Sequence, residues 1–344
     1  MSRKTGTDRM GVQMTKNSHV VLKQYFGHVT FREGQEELIQ QILSGRDAFG
    51  IMPTGAGKSI CYQVPALMLD GITLVVSPLI SLMKDQVNAL VQSGVQAAYL
   101  NSSLTVGQYA KVLALAAQGA YKILYVAPER LLVEAFVQFA LQTRIAMVTV
   151  DEAHCVSQWG QDFRPSYLKI LEFVDRLSYR PVISAFTATA TKAVREDVIR
   201  MLRLQDPYVV TTGFDRKNLS FSVQTPGSRM PALLEILRGH KGKSGIVYCA
   251  TRKTVESVCA ELNRKGMDAT MYHAGLDNDV RHQNQDDFLF DRRTIMVATN
   301  AFGMGIDKSN VSYVVHYNMP KNLESYYQER SEEHTSELQS LSHL

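Results

Sequence analysis

Residues 48–59 read AFGIMPTGAGKS, and the fold turns on them. Four apolar or small residues form a strand-like run. A turn with Gly55 and Gly57 follows, and Lys58 and Ser59 then open the helical run ICYQVPALML. A strand, a glycine-rich turn and a Lys-Ser pair at a helix start are the parts of a phosphate loop. Backbone N–H groups of Thr54, Gly55, Ala56, Gly57 and Lys58 would wrap phosphate oxygens, Lys58 would reach the β- and γ-phosphates, and the Ser59 hydroxyl would sit on Mg²⁺. The strict pattern has Gly at position 52, where this chain has Met52. A glycine-rich turn without a ligand is the competing reading, but the order of all four parts argues against it.

Apolar runs rich in β-branched residues repeat on both sides of the loop. AFGIM, TLVVSP, AAYLN, KILYVAP, MVTVDE and PVISAFTATA alternate with amphipathic stretches such as LISLMKDQVNALVQSG. That alternation predicts a mostly parallel sheet with helices on both faces. A second series runs through SGIVYC, ATMYHAG, TIMVATN and VSYVVHYN. The expected fold class is therefore α/β, in two domains with a cleft between them. The polar, Pro- and Gly-containing stretch LQDPYVVTTGFDRKNLSFSVQTPG separates the two series. The expected boundaries are an extension over 1–24, a first domain over 25–207, a linker region over 208–227, a second domain over 228–329 and a tail over 330–344.

Composition sets the outer limits. At 344 residues, with 45 % apolar and 20 % charged residues, the chain is long enough for two cores. It is also too apolar for a wholly disordered or disulfide-scaffold protein. The net charge is +4; residues 330–344 hold one Arg and three Glu, so the remaining body is +6. That balance permits a polyanionic partner without requiring one. No stretch reaches the roughly 20 apolar residues of a membrane span, and the basic start leads into no signal-peptide core. The expected location is the cytoplasm, with no membrane partner. Cys61, Cys155, Cys249 and Cys259 form no CxxC pair and sit in apolar or strand-like runs. Buried thiols are expected, and a zinc site is not.

MVTVDEAHCVSQWG supplies a second half of the nucleotide site. An apolar run ends in two carboxylates: Asp151 would hold Mg²⁺ through water, and Glu152 would orient or deprotonate the water that attacks the γ-phosphoryl group. Alone, adjacent acids at a strand end are equally a solvated pair. Behind a phosphate loop they read as catalytic.

In this frame DEAH, followed by CVSQWGQDFRPSY, resembles the RecQ family of superfamily 2 DNA helicases. The resemblance spans about residues 25–329 through FREGQ, MPTGAGKS, SPLISLMKDQ, YVAPERL, VDEAHCVSQWG, FTATA, GIVYC, YHAG and VATNAFGMGID, all in family order. PTGxGKS, with Pro-Thr in front, is also the form used by helicase-type ATPases, which accommodates Met52. The resemblance implies two RecA-like P-loop domains, ATP and Mg²⁺ as cofactors, single-stranded and junction DNA as partner, and 3′-to-5′ unwinding in repair or recombination. It places Gln35 on the adenine edge with His28 stacking and Arg32 between them, and adds His154 to the catalytic set. Ser157, Gln158, Trp159, Phe163 and Arg164 fall in the family's aromatic-rich loop, which couples DNA contact to hydrolysis. Trp159 and Phe163 offer faces on which bases stack; a core-packing Trp is the competing reading, which the polar surroundings of Trp159 argue against. Gln161 stands where many members carry His, which weakens the expected coupling. Ser77, Pro78, Lys84 and Gln86 resemble positions that grip the DNA backbone. Thr187 and Thr189 resemble the link between hydrolysis and domain closure. Thr299, Phe302, Gly303, Gly305 and Asp307 resemble the segment that meets DNA and nucleotide.

After Glu329 the sequence departs from the family. A Gly-Arg-Ala-Gly-Arg segment is expected there, and RSEEHTSELQSLSHL stands in its place, similar to a reading frame of a sequencing adapter. The expectation is a non-native tail on a truncated chain that binds ATP but hydrolyses it poorly. A nucleotide- and DNA-binding fragment without turnover is the alternative reading. An RNA helicase of the DEAD-box type is disfavoured by His154 and by the SQWGQDFRP loop.

Overall fold

The computed structural model describes residues 18–53, 55–159, 163–188, 190–213, 220–300, 302, 308, 310–320 and 326. The chain divides into two compact units, Met1–Phe214 and Asp215–Leu344.

The first unit opens with helix α1 over 18–26 and helix α2, Gln35–Leu43. Strands and helices then alternate: β1 Ala48–Ile51, α3 Lys58–Met68, β2 Ile72–Val76, α4 Ile80–Gln92, β3 Ala97–Leu100, α5 Val106–Ala117, β4 Ile123–Val126, α6 Glu134–Gln142, β5 Ile145–Val150, α7 Lys169–Arg176, β6 Val182–Thr187, α8 Lys192–Met201 and β7 Tyr208–Thr211. The seven strands form one sheet in the order β3-β4-β2-β5-β6-β1-β7, and every pair is parallel. Strands β1, β2 and β4 are buried at every residue, as helices on both faces of a parallel sheet require. Phe49, Leu74, Leu124, Val148 and Phe173 fill one face; Ala48, Val75, Tyr125, Met147 and Phe186 fill the other. Local chemistry starts the helices where the sequence suggests. Thr105 caps α5 in a reciprocal box, accepting from the Gln108 amide while the Gln108 side chain accepts from the Thr105 amide.

The second unit holds α9 Arg229–Gly239, β8 Ser244–Tyr248, α10 Arg252–Arg264, β9 Ala269–Tyr272, α11 Asn278–Leu289, β10 Ile295–Ala298 and β11 Val311–His316. Its strands form a parallel sheet in the order β11-β8-β10-β9. Tyr313 lies directly over Gly245, where an added Cβ would stand 2.2 Å from the ring. Only glycine leaves β8 room for that ring.

Two boundaries differ from the sequence reading. Residues 208–211, placed in the linker by their polar surroundings, form β7 and pair along the whole of β1. Gly34 explains part of this: at φ +76 it lies within 2.7 Å, by a virtual Cβ, of the Val210 side chain, so only glycine lets the α2 start approach β7 this closely. The N-terminal extension is not all separate either, because Leu22 of α1 is buried with Ile39 and Val64 in the first unit. Residues 1–17 and 330–344 lie outside the described residues.

Among the described residues no helix is long and apolar enough to cross a membrane. All four cysteines are buried, and none is in a disulfide. Burial pushes the Cys61 and Cys249 thiols up to about 12 and also raises Cys259, so the three stay protonated and unreactive.

Candidate nucleotide and nucleic-acid site

Because β1, β2, β5 and β6 are parallel, the segments that follow them emerge at one end of the first sheet. These segments are the phosphate loop, Ser77-Pro78, Asp151-Glu152 and Thr187.

Gly55 and Gly57 both adopt positive φ, +79 and +78, which wraps the loop tightly before α3. Gly57 is the N-cap of α3 and supplies no side-chain acceptor to the first N–H groups of the helix. The Lys58 ammonium folds back to donate to the Met52 carbonyl at 3.2 Å. Ser59 is half-buried beside it. Gln35, itself buried, holds the loop from below: Nε2 donates to the carbonyls of Ala56 at 3.1 Å and Gly57 at 3.0 Å, while Oε1 accepts the Arg32 amide at 2.8 Å. The Arg32 guanidinium donates to the Gly55 carbonyl. His28 is exposed in the preceding loop. Both Gln35 N–H groups are thus spent on the loop, and one oxygen lone pair is what remains for a base edge. Thr54 lies outside the described residues.

Asp151 is buried at the end of β5, and Glu152 next to it adopts φ +48, a left-handed conformation that a non-glycine residue rarely holds. Burial and the neighbouring Glu152 charge push the Asp151 carboxyl up to about 7, against the pull of Lys58. Burial alone would raise Glu152 too, but the hydrogen bond and charge of His154, with Lys58 and Arg164, hold it below its ordinary value. His154 lies with Nδ1 2.8 Å from the Thr187 hydroxyl and 3.3 Å from Glu152 Oε2. Burial disfavours its charge, yet hydrogen bonds with Cys155 and Glu152 lift it to about 10. The Thr187 carbonyl in turn accepts the Met52 amide at 3.0 Å. One chain of bonds therefore runs from Glu152 through His154 and Thr187 to the base of the phosphate loop. Thr189 lies outside the described residues.

The aromatic-rich segment leaves from the same place. Ser157 is buried, donates to Asp197 at 2.8 Å and accepts the Trp159 amide at 3.2 Å, which projects Trp159 outward with 77 % of its surface exposed. Gln158 is exposed, and Phe163 and Arg164 are half-buried. Arg164 donates to the Pro78 carbonyl at 3.0 Å and so joins this segment to the one after β2. Ser77 is buried, Lys84 is half-buried on α4, and the Gln86 amide oxygen is engaged internally by Gln63. Gln161 lies outside the described residues.

In the second unit Thr299 follows β10, its amide bonded to the Tyr272 carbonyl at 3.2 Å. The Phe302 ring corrects the sequence reading. It is buried between Tyr272, 4.9 Å away by ring centroids, and Phe288, 5.9 Å away, and so packs the core. Gly303, Gly305 and Asp307 lie outside the described residues.

Residues 32–197 match the DEAD/DEAH box helicase family, and residues 228–331 match the helicase conserved C-terminal domain. The ATP-dependent DNA helicase RecQ of Bacillus subtilis is 47 % identical over 92 % of this chain, and that of Pasteurella multocida 45 % over 95 %. Over more than nine tenths of its length the chain is thus similar to RecQ helicases. It spans about half the length of these relatives, 54 % and 51 % respectively. The solved structures it resembles share its fold at low identity. Helicase MrfA bound to DNA has a TM-score of 0.74 and 17 % identity, covering 92 % of this chain and 49 % of its own. The Mycobacterium smegmatis helicase Lhr, bound to single-stranded DNA and AMP-PNP, has 0.69 and 19 %, covering 90 % and 45 %. A DEAD-box helicase bound to single-stranded RNA has 0.73 and 16 %, covering 92 % and 70 %. Two RecA-like α/β domains are the fold common to this chain and these neighbours.

Two features of this arrangement lie beyond the sequence motifs. The His154–Thr187 bond joins residues 33 positions apart, and no local pattern announces it. The role of Arg32 as a brace on Gly55 was hidden because its partner is a backbone carbonyl.

Proposed function

We propose that this chain is the ATP-driven motor of a RecQ-type DNA helicase, which hydrolyses ATP with Mg²⁺, moves 3′ to 5′ on single-stranded DNA and separates the duplex ahead in repair or recombination. Its place of action is the cytoplasm, at the nucleoid. The observation that carries the reading is the bonded chain from the phosphate loop through Thr187 and His154 to Glu152, beside buried Asp151. The glycine turn fits a polyphosphate, and the oxygen donors Ser59 and Asp151 fit a hard divalent ion. Bound Mg²⁺ would neutralise charge on the β- and γ-phosphates. Lys58 would bind the phosphates, Gln35, Arg32 and His28 would surround the base, and Glu152 would take or orient the proton of the attacking water.

Two measurements test this. Lys58→Ala is expected to weaken Mg-ATP binding at least about tenfold, because a charge-assisted contact to phosphate is worth about 1.5–3 kcal/mol; an unchanged affinity in equilibrium dialysis would remove Lys58 from the site. Trp159→Ala is expected to cut the stimulation of ATP hydrolysis by single-stranded DNA, since stacking contributes about 1–3 kcal/mol per base. ATP affinity should stay as it is. Equal stimulation of both proteins would show that the exposed indole serves something else, and stimulation by RNA in place of DNA would overturn the substrate assignment.

A further inference from the structure

A buried polar chain lies under the nucleotide site, and none of the motifs accounts for it. Gln63 on α3 donates through Nε2 to Gln86 Oε1 on α4, at 3.0 Å, and to the Tyr125 hydroxyl on β4, at 3.2 Å. The Tyr125 hydroxyl lies 3.5 Å from that of Tyr62, also on α3. Gln63, Tyr62 and Tyr125 are all buried, and the surrounding cluster is apolar, with Val75, Val87, Met147 and Phe186. An apolar core would pack this space without the need to satisfy an amide and two phenols, so the polar groups do something other than add stability.

Their placement says what. Helix α3 starts at Lys58 and Ser59, and α4 carries Lys84 and follows Ser77-Pro78. Burial above all keeps both phenols protonated, and the Asp151 charge adds to it as a smaller contribution. The two N–H bonds of a primary amide lie in one plane at a fixed angle. With one aimed at α4 and the other at β4, α3 cannot turn or slide against either without leaving a donor unpaired in the core.

We propose that Gln63 and Tyr125 are positioning residues that couple occupancy of the phosphate loop to the grip of α4 on nucleic acid. This rests on the proposed function. Nucleotide binding sets the register of α3, the Gln63 amide passes that register to Gln86 and α4, and Tyr125 holds the amide in plane. Neither residue touches nucleotide or DNA.

The experiment uses the full chain with Gln63→Met, Tyr125→Phe and both changes together. Trp159, the chain's one tryptophan, reports binding of an oligothymidylate by its fluorescence. Titrations with and without a non-hydrolysable ATP analogue give the factor by which nucleotide changes DNA affinity. Thermodynamic coupling between two sites is commonly about 5–150-fold. Each single variant is expected to bring the parent's factor close to one, while the affinity for each ligand alone, the basal ATPase rate and the melting temperature stay near the parent's. The double variant should lose no more than the singles, because both act on one amide. A factor retained in the variants overturns the proposal. So does a loss accompanied by a matching fall in melting temperature and in both separate affinities, which marks a packing role. If the parent itself shows no linkage, the motor reading falls and takes the coupling with it.

Discussion

Glu152→Gln is expected to leave Mg-ATP binding intact and to lower steady-state hydrolysis by about 10²–10⁴-fold, the usual worth of a positioned general base. Glu152 is the carboxylate of the pair that is ready to accept a proton. His154, Lys58 and Arg164 together hold it ionised, whereas burial and the Glu152 charge push Asp151 up to about 7. Gln keeps the shape and the hydrogen-bonding reach toward His154 but cannot take a proton. It also keeps the backbone cost of φ +48, so the comparison is not blurred by relief of strain. Asp151→Asn should behave in the opposite way and weaken binding in a manner that depends on Mg²⁺. The measurement is ATP turnover beside nucleotide affinity for each variant. Loss of affinity in Glu152→Gln with turnover unchanged at saturation would exchange the two roles.

The contrast between these carboxylates shows where sequence reading stops. Their adjacency after an apolar run, behind a phosphate loop, was enough to name both. Which one stays charged depends on His154, Lys58 and Arg164, and the Thr187 hydroxyl that His154 also meets stands 33 residues further on. The strands were legible for a related reason. A parallel sheet covered on both faces needs continuous apolar runs, and ten of the eleven strands among the described residues carry one that stands out in the sequence. The eleventh, β7, did not stand out because an edge strand can be half-exposed, and YVVT sits between Pro207 and a polar stretch. Gln63 and Tyr62 were hidden in plain view. CYQV reads as part of an apolar helix, and nothing in its spacing says that its polar atoms find Tyr125 and Gln86. Phe302 shows the reverse error. A motif placed it at a ligand surface, whereas its ring packs Tyr272 and Phe288.

Asp47 is the strongest case of a residue that local pattern cannot reveal, and removing it should have a large effect on stability. It precedes β1 as a single acid, with a side chain only 1 % exposed. Its Oδ1 accepts from Arg180 at 3.0 Å and from the Ile183 amide at 2.9 Å; its Oδ2 accepts from Arg180 at 2.5 Å and from the Gln205 amide at 2.7 Å. The Asp47 carbonyl also accepts the Tyr208 amide at 2.8 Å. One carboxylate thus ties the starts of β1 and β6 to the turn that leads into β7. Asp47→Ala takes the ionic partner from Arg180, which keeps only the carbonyls of Pro181 and Arg203, and strands two backbone N–H groups; removing one partner of a buried pair costs about 3–5 kcal/mol. Asp47→Asn keeps an acceptor and should cost less. Denaturant unfolding, followed on the transition of the first unit, measures the loss. Asp47 lies at the opposite end of the sheet from the phosphate loop, so ATP affinity and DNA stimulation well below the melting temperature should match the parent's. A loss under about 1 kcal/mol would reduce the pair to an ordinary surface contact. A change in ATP affinity at unchanged stability would mean that the far end of the sheet is felt at the nucleotide.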